Sequence, residues 1–146
     1  MKKLLIVLVA FALWQCQKDK PLDPRPVDFG QDIALAKGQS AMVSHKNPTM
    51  DLMVETTDIG ESRCPSDVVC VWAGFAKADL KVSSEGETAN VSLCLGQCEA
   101  KYKLTDTTYV QLGGTEFGLI LKEINPFPTS TNGSDPKTAV VEVFIK

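Results

Sequence analysis

The sequence predicts an all-β fold, an antiparallel β-sandwich or small closed barrel of about seven to nine strands. Three observations carry this expectation. Apolar residues recur with period two at Met50, Leu52 and Val54, at Ala76, Ala78, Leu80 and Val82, and at Ala89, Val91, Leu93 and Leu95. That is the spacing of strands with one buried face. The alternate positions hold Asp51, Glu55, Lys77, Asp79, Lys81, Asn90 and Ser92, so the opposite face is wet, as an antiparallel sheet allows. Turn formers punctuate the chain at Gly38, Asn47-Pro48, Gly86 and Gly113-Gly114, and no stretch has helical periodicity.

Taken in order, the chain opens with basic Met1-Lys2-Lys3 and an apolar run of eleven residues, Leu4 to Trp14. This has the make-up of an export signal and is too short to span a bilayer as a helix. Residues 1–15 are therefore expected to be a signal peptide. Leu13-Trp14-Gln15-Cys16 resembles the lipobox of bacterial lipoproteins, with Gln15 where that family has a small residue. The resemblance implies that Cys16 is lipidated, with a palmitate-type chain, and becomes the first residue after cleavage. Cleavage after Ala10-Phe11-Ala12 is the competing reading, and it leaves Cys16 as an odd thiol in an oxidising compartment. Cys16-Gln17-Lys18-Asp19-Lys20 resembles the charged signal behind the lipidated cysteine of surface-exposed lipoproteins of the Bacteroidota. This implies a cell-envelope protein anchored to the outer membrane and displayed at the surface.

Residues 16–29 read as the lipidated cysteine and a Pro-rich tether. Pro21, Pro24 and Pro26 fall within six residues, which excludes a helix and favours extended polyproline II, reaching roughly 40 Å at about 3.1 Å per residue. Residues 30–146 form the single β domain. Besides the three alternating runs, strands are expected at Asp32 to Ala36, Gln39 to Val43, Lys101 to Leu104, Tyr109 to Leu112, Glu116 to Ile124 and Thr138 to Ile145. Ser83-Ser84-Glu85-Gly86-Glu87 is a hairpin turn. The alternation of Val69, Val71, Ala73 and Phe75 changes phase at Gly74, which predicts a strand running through Trp72 and bent by a β-bulge at Gly74. Trp72 is expected beside the cysteine loop, half in the core.

Four cysteines follow Cys16, at positions 64, 70, 94 and 98. An exported chain meets an oxidising compartment, so disulfides are the default. Pairing Cys64 with Cys70 and Cys94 with Cys98 closes two short loops, each with a turn former inside, Pro65 and Gly96. The C-x5-C and C-x3-C spacings match neither thiol oxidoreductases nor zinc knuckles.

Composition excludes several functions. The chain has 15 basic and 18 acidic residues, and loss of Lys2 and Lys3 with the signal leaves 13 against 18, a charge near -5. No basic run suits nucleic acid. His45 is the sole histidine, and neither a nucleophile elbow nor a phosphate loop is present. We expect no enzyme, no cofactor and no resident metal. Met42, His45, Met50 and Met53 supply soft ligand types that suit Cu(I), but their spacing is irregular and core packing accounts for Met50.

Binding remains. Arg63 and Asp67 sit on the cysteine loop, where a rigid scaffold limits the entropy lost on contact. Asn125-Pro126-Phe127-Pro128 and the stretch after it form a second, longer connection. Arg63, Asp67, Trp72 and Phe127 are thus the candidate binding residues. Arg63-Cys64-Pro65, Val69-Cys70-Val71-Trp72-Ala73-Gly74, Lys37-Gly38-Gln39-Ser40-Ala41 and Pro126-Phe127-Pro128 together resemble a group of small β-rich lipoproteins of the Bacteroidota, from about Phe29 onward. The resemblance implies family and location, and it carries no activity; the Cys94–Cys98 pair is not part of it. The expected function is a non-catalytic, lipid-anchored binding or structural module of the envelope, with the membrane as partner through its lipid and an envelope protein or glycan as ligand. The alternatives are an inhibitor of a cell-wall hydrolase, similar to the small β-barrel inhibitors of lysozyme, and copper binding in the periplasm.

Overall fold

Period-two burial sorts the described residues into ten strands. The computed structural model describes residues 26–45, 50–99 and 101–146; the signal segment, Cys16 and most of the tether lie outside the described residues. The strands are β1 (Val27–Asp28), β2 (Asp32–Ala36), β3 (Ser40–Ser44), β4 (Leu52–Glu61), β5 (Phe75–Ser84), β6 (Glu87–Cys98), β7 (Lys101–Lys103), β8 (Asp106–Leu112), β9 (Thr115–Asn125) and β10 (Thr138–Ile145). They make a β-sandwich of a six-stranded sheet, ordered β1-β3-β4-β5-β6-β7, and a four-stranded sheet, ordered β2-β10-β9-β8. All pairings are antiparallel except β1 with β3.

The inward positions are the apolar phases of the sequence. Leu52, Val54, Ala76, Ala78, Leu80, Val82, Leu93 and Leu95 from one sheet are buried against Ile33, Leu35, Phe117, Leu119, Leu121, Val141 and Val143 from the other. Each fully buried Leu, Val or Phe contributes roughly 1.5–3 kcal/mol relative to exposure, so this interior is what makes the sandwich.

Three expectations need correction. Val27 to Phe29, assigned to the tether, belong to the folded body, because Val27 pairs with Val43, Phe29 stacks on Phe117 at 6.0 Å and the Gly30 N–H reaches the Val143 carbonyl at 2.7 Å. Proline density ends at Pro26, and the apolar residues after it find the core. Second, no strand runs through Trp72; β5 starts at Phe75. Third, the bulges lie elsewhere. One is at Thr57 in β4, between the pairs Thr56–Leu80 and Asp58–Asp79. The other is at Lys122 in β9, between Leu121–Val141 and Glu123–Val140. Each extra residue bends its strand and shifts the inward phase, which is how Ile124 follows Leu121 into the core.

Topology separates the two ends of the sandwich. β1 lies beside Val43, which pairs with Leu52, and runs parallel to β3 toward the end that carries the Glu85-Gly86 hairpin turn. The other end of β4 leads into the cysteine loop. Ten residues of strand at about 3.3 Å each put roughly 30 Å between the two poles.

Candidate functional site

The cysteine loop is a thirteen-residue connection between β4 and β5, and its neck continues their ladder. The Ser62 N–H donates to the Phe75 carbonyl at 2.9 Å and the Cys64 N–H to the Ala73 carbonyl at 2.8 Å. Gly74 makes this closure possible. Its φ is +70°, and a Cβ there would fall 2.0 Å from the Ser62 carbonyl oxygen, so only glycine lets the two backbones meet. Beyond the neck, Cys64 and Cys70 are bridged with Cα atoms 5.9 Å apart.

A second loop buttresses the first. Residues 126–137, between β9 and β10, begin with a cis Asn125–Pro126 bond. The Ser66 N–H donates to the Pro128 carbonyl at 3.0 Å. The Asp67 carboxylate accepts from the Ser130 N–H at 2.8 Å and from the Ser130 hydroxyl. These bonds, the hydroxyl first and the amide second, hold the Asp67 carboxyl below its ordinary value. The Asn132 amide donates to the Phe127 carbonyl and Lys137 to the Pro126 carbonyl, so the second loop is itself tied down.

Arg63 joins both loops to the body. Its guanidinium makes a two-pronged bond to Glu61, donates to the Ile124 carbonyl at 2.7 Å and lies 4.3 Å from the centre of the Phe127 ring. The Arg63 and Glu61 side chains are only 9% and 10% exposed. A desolvated pair with its donors satisfied is costly to break on one side. This side chain is a clasp between the sheets.

Next to the clasp is a groove of about 320 Å³ lined by Arg63, Gly96, Tyr102, Leu104, Ile124 and Phe127 among others. It lies where the β8–β9 register stops at Asp106–Leu121, leaving the end of β9 with no β8 partner, and where β7 forms the edge of the larger sheet. The Cys94–Cys98 bridge sits beside it. Its Cα atoms are 6.1 Å apart, whereas four residues of extended strand cover about 13 Å, so β6 is sharply bent there.

The loop crest carries the exposed apolar surface. Val69 and Val71 are fully solvent-exposed at 101% and 107%, and Trp72 is 56% exposed. Val68, Tyr102, Leu104 and Phe127 are also exposed. A folded domain exposes single apolar side chains routinely, but a contiguous run marks an interaction surface.

The four candidate binding residues therefore have different fates. Arg63, Asp67 and Phe127 converge on one pole, with Arg63 in the buried clasp and Asp67 engaged by Ser130. Trp72 shares that pole, but it lies outside the core and meets Phe75 edge-on at 6.4 Å, since the strand expected to bury it begins three residues later. The groove wall of Tyr102 and Leu104, the crest valines and Ser130 were not anticipated as site residues. The run Val-Val-Cys-Val-Trp was the available signal for the crest. Tyr109 belongs elsewhere, edge-on to Phe144 at 6.1 Å. Met42 and Met53 are directly paired across β3 and β4; His45 is exposed at the end of β3 and Met50 precedes β4. Both expected disulfides are formed.

Comparison of the chain with protein-family models, with curated proteins and with solved structures returns no match. Functional inference therefore rests on the geometry of this pole.

Proposed function

We propose that this protein is a non-catalytic, lipid-anchored module of the cell envelope that binds a partner protein with its loop pole. The observation that carries the reading is the gathering of the cysteine loop, the Pro126-Phe127-Pro128 loop and their exposed apolar residues at one pole of the sandwich, where hydrogen bonds between the two loops hold them. The resemblance of the cysteine loop to small lipoproteins of the Bacteroidota supports the lipid anchor.

Two measurements test it. Labelled palmitate marks the wild-type protein and leaves Cys16→Ser unmarked; a wild type without label sinks the anchored reading. A photoreactive phenylalanine in place of Val71 forms a heterologous protein adduct in whole cells, while the same residue in place of Glu85, at the base, does not. Equal adducts from both positions sink the assignment of the binding pole.

A further inference from the structure

We infer that Met42 and Met53 form a site for a soft monovalent cation, Cu(I) or its redox-inert analogue Ag(I), on the outer face of the larger sheet. The site lies away from the loop pole and is independent of the role given to that pole.

Three observations lead there. The first is adjacency. The two methionines are direct partners across β3 and β4, so the spacing that looks irregular in sequence is simply the length of a hairpin. Cross-strand neighbours have Cβ atoms about 4.5–5.5 Å apart, and the flexible methionine side chain lets both sulfurs close on one ion.

The second is orientation. Ala41 and Val43 flank Met42 and are buried, and Leu52 and Val54 do the same beside Met53. Period two therefore turns both thioethers to the solvent face, where each is half-buried. The neighbouring outward positions are Ser40, Ser44, Glu55 and Ser83, so core packing accounts for neither methionine.

The third is the surround. Met42 and Met53 share a hollow of about 260 Å³. Among the described residues lining it, Asp51 and Glu85 are acidic, Ser83 and Thr88 bear hydroxyls, and there is neither a basic residue nor a third apolar side chain. That balance draws a cation, and two apolar side chains are too few for a protein docking patch. A thioether is a neutral, soft donor with no proton to lose, and such donors select Cu(I). Zn(II) is held by Cys, His and carboxylate ligands and Ca(II) by about six to eight oxygens; neither gives methionine a part. Binding changes no oxidation state and breaks no bond.

The test titrates silver nitrate, in chloride-free buffer, into the purified Cys16→Ser protein carrying methyl-labelled methionine; the substitution removes the cysteine that lies outside the two disulfides. We expect the methyl NMR signals of Met42 and Met53 to shift together and to saturate at one ion per chain, while Met50 stays in place and zinc sulfate has no effect. Cu(I), added as its acetonitrile complex without oxygen, should produce the same shifts. Met42→Leu or Met53→Leu should weaken Ag(I) binding at least about tenfold, since losing even an outer partner of a metal ligand costs about 10–100-fold. Met50→Leu should leave it unchanged. Leucine and methionine have similar volumes, so thermal melts of these variants match wild type. No shift at millimolar silver, an equal shift at Met50, an equal response to zinc, silver shifts that Cu(I) does not reproduce, or Met42 and Met53 variants that bind like wild type each overturns the site. None of these outcomes touches the adduct expected from position 71.

Discussion

The two poles of the sandwich are built by opposite means. At the base, Ser84 and Glu87 pair directly around Glu85-Gly86, and the Gly113 N–H of the neighbouring turn is tied to the Glu87 carboxylate. These are minimal, polar turns. At the far end two connections of thirteen and twelve residues are joined by the Ser66–Pro128 and Asp67–Ser130 hydrogen bonds, and the first is braced by its own disulfide and by the Arg63–Glu61 ion pair. Connections that long cost entropy to order, and most loops in compact domains are shorter. The difference shows where the chain has committed cross-links that its core does not need, and an ordered, apolar surface is what they produce.

The contrast can be broken most severely at the clasp. Arg63→Ala leaves Glu61 buried without its partner and should lower stability by about 3–5 kcal/mol in chemical denaturation. Glu61→Leu with Arg63→Met should recover most of that loss, because no charge is then stranded. Glycine substitution compares the poles directly. Gly74→Ala meets the Ser62 backbone and keeps a positive φ, at a cost of about 3 kcal/mol. Gly86→Ala has a φ of +83° but nothing within 4 Å, so about 1 kcal/mol is expected. Equal effects in thermal melts would remove the argument for a strained neck.

Removing the Cys64–Cys70 bridge with paired serines should cost about 2 kcal/mol, from the chain entropy of a seven-residue loop. Limited proteolysis should then cut between residues 66 and 72 and nowhere at the base. The smallest effect is pH-dependent. The Asp67 pKa is lowered by the Ser130 hydroxyl and then the Ser130 amide. A depressed folded pKa gives stability that is present above the ordinary carboxylate value and lost as pH falls through the folded one. The protection of the Ser130 amide, taken relative to the intrinsic exchange rate at the same pH, should therefore fall only in acid, below about pH 4, and Asp67→Asn should make that protection independent of pH over that range.

Much of the body was legible because burial on one face writes itself as alternation. β2 and β10 have the expected bounds, and the Glu85-Gly86 turn follows from glycine between two polar-apolar runs. The failures have physical causes. Val69, Val71 and Ala73 alternate like a strand in sequence, but Cys70 and Trp72 between them are exposed as well, so the solvent rather than a core receives the whole crest. The bulges at Thr57 and Lys122 are invisible in sequence, since one extra residue leaves no compositional trace. Val27–Asp28 was assigned to the tether because three prolines precede it. Within the site, Asp67 and Ser130 are 63 residues apart, and no local pattern announces that they meet. Arg63 was expected as a binding residue on the cysteine loop, and its place in the clasp stays hidden for the same reason, its partners Ile124 and Phe127 being remote in the chain.

Under the proposed anchoring, reach and grip are governed by separate stretches of sequence. Lengthening or shortening the stretch from Pro21 to Pro26 would change how far the domain stands from its lipid. It would leave untouched whatever the crest recognises, so selection could tune the height of the molecule without renegotiating its choice of partner.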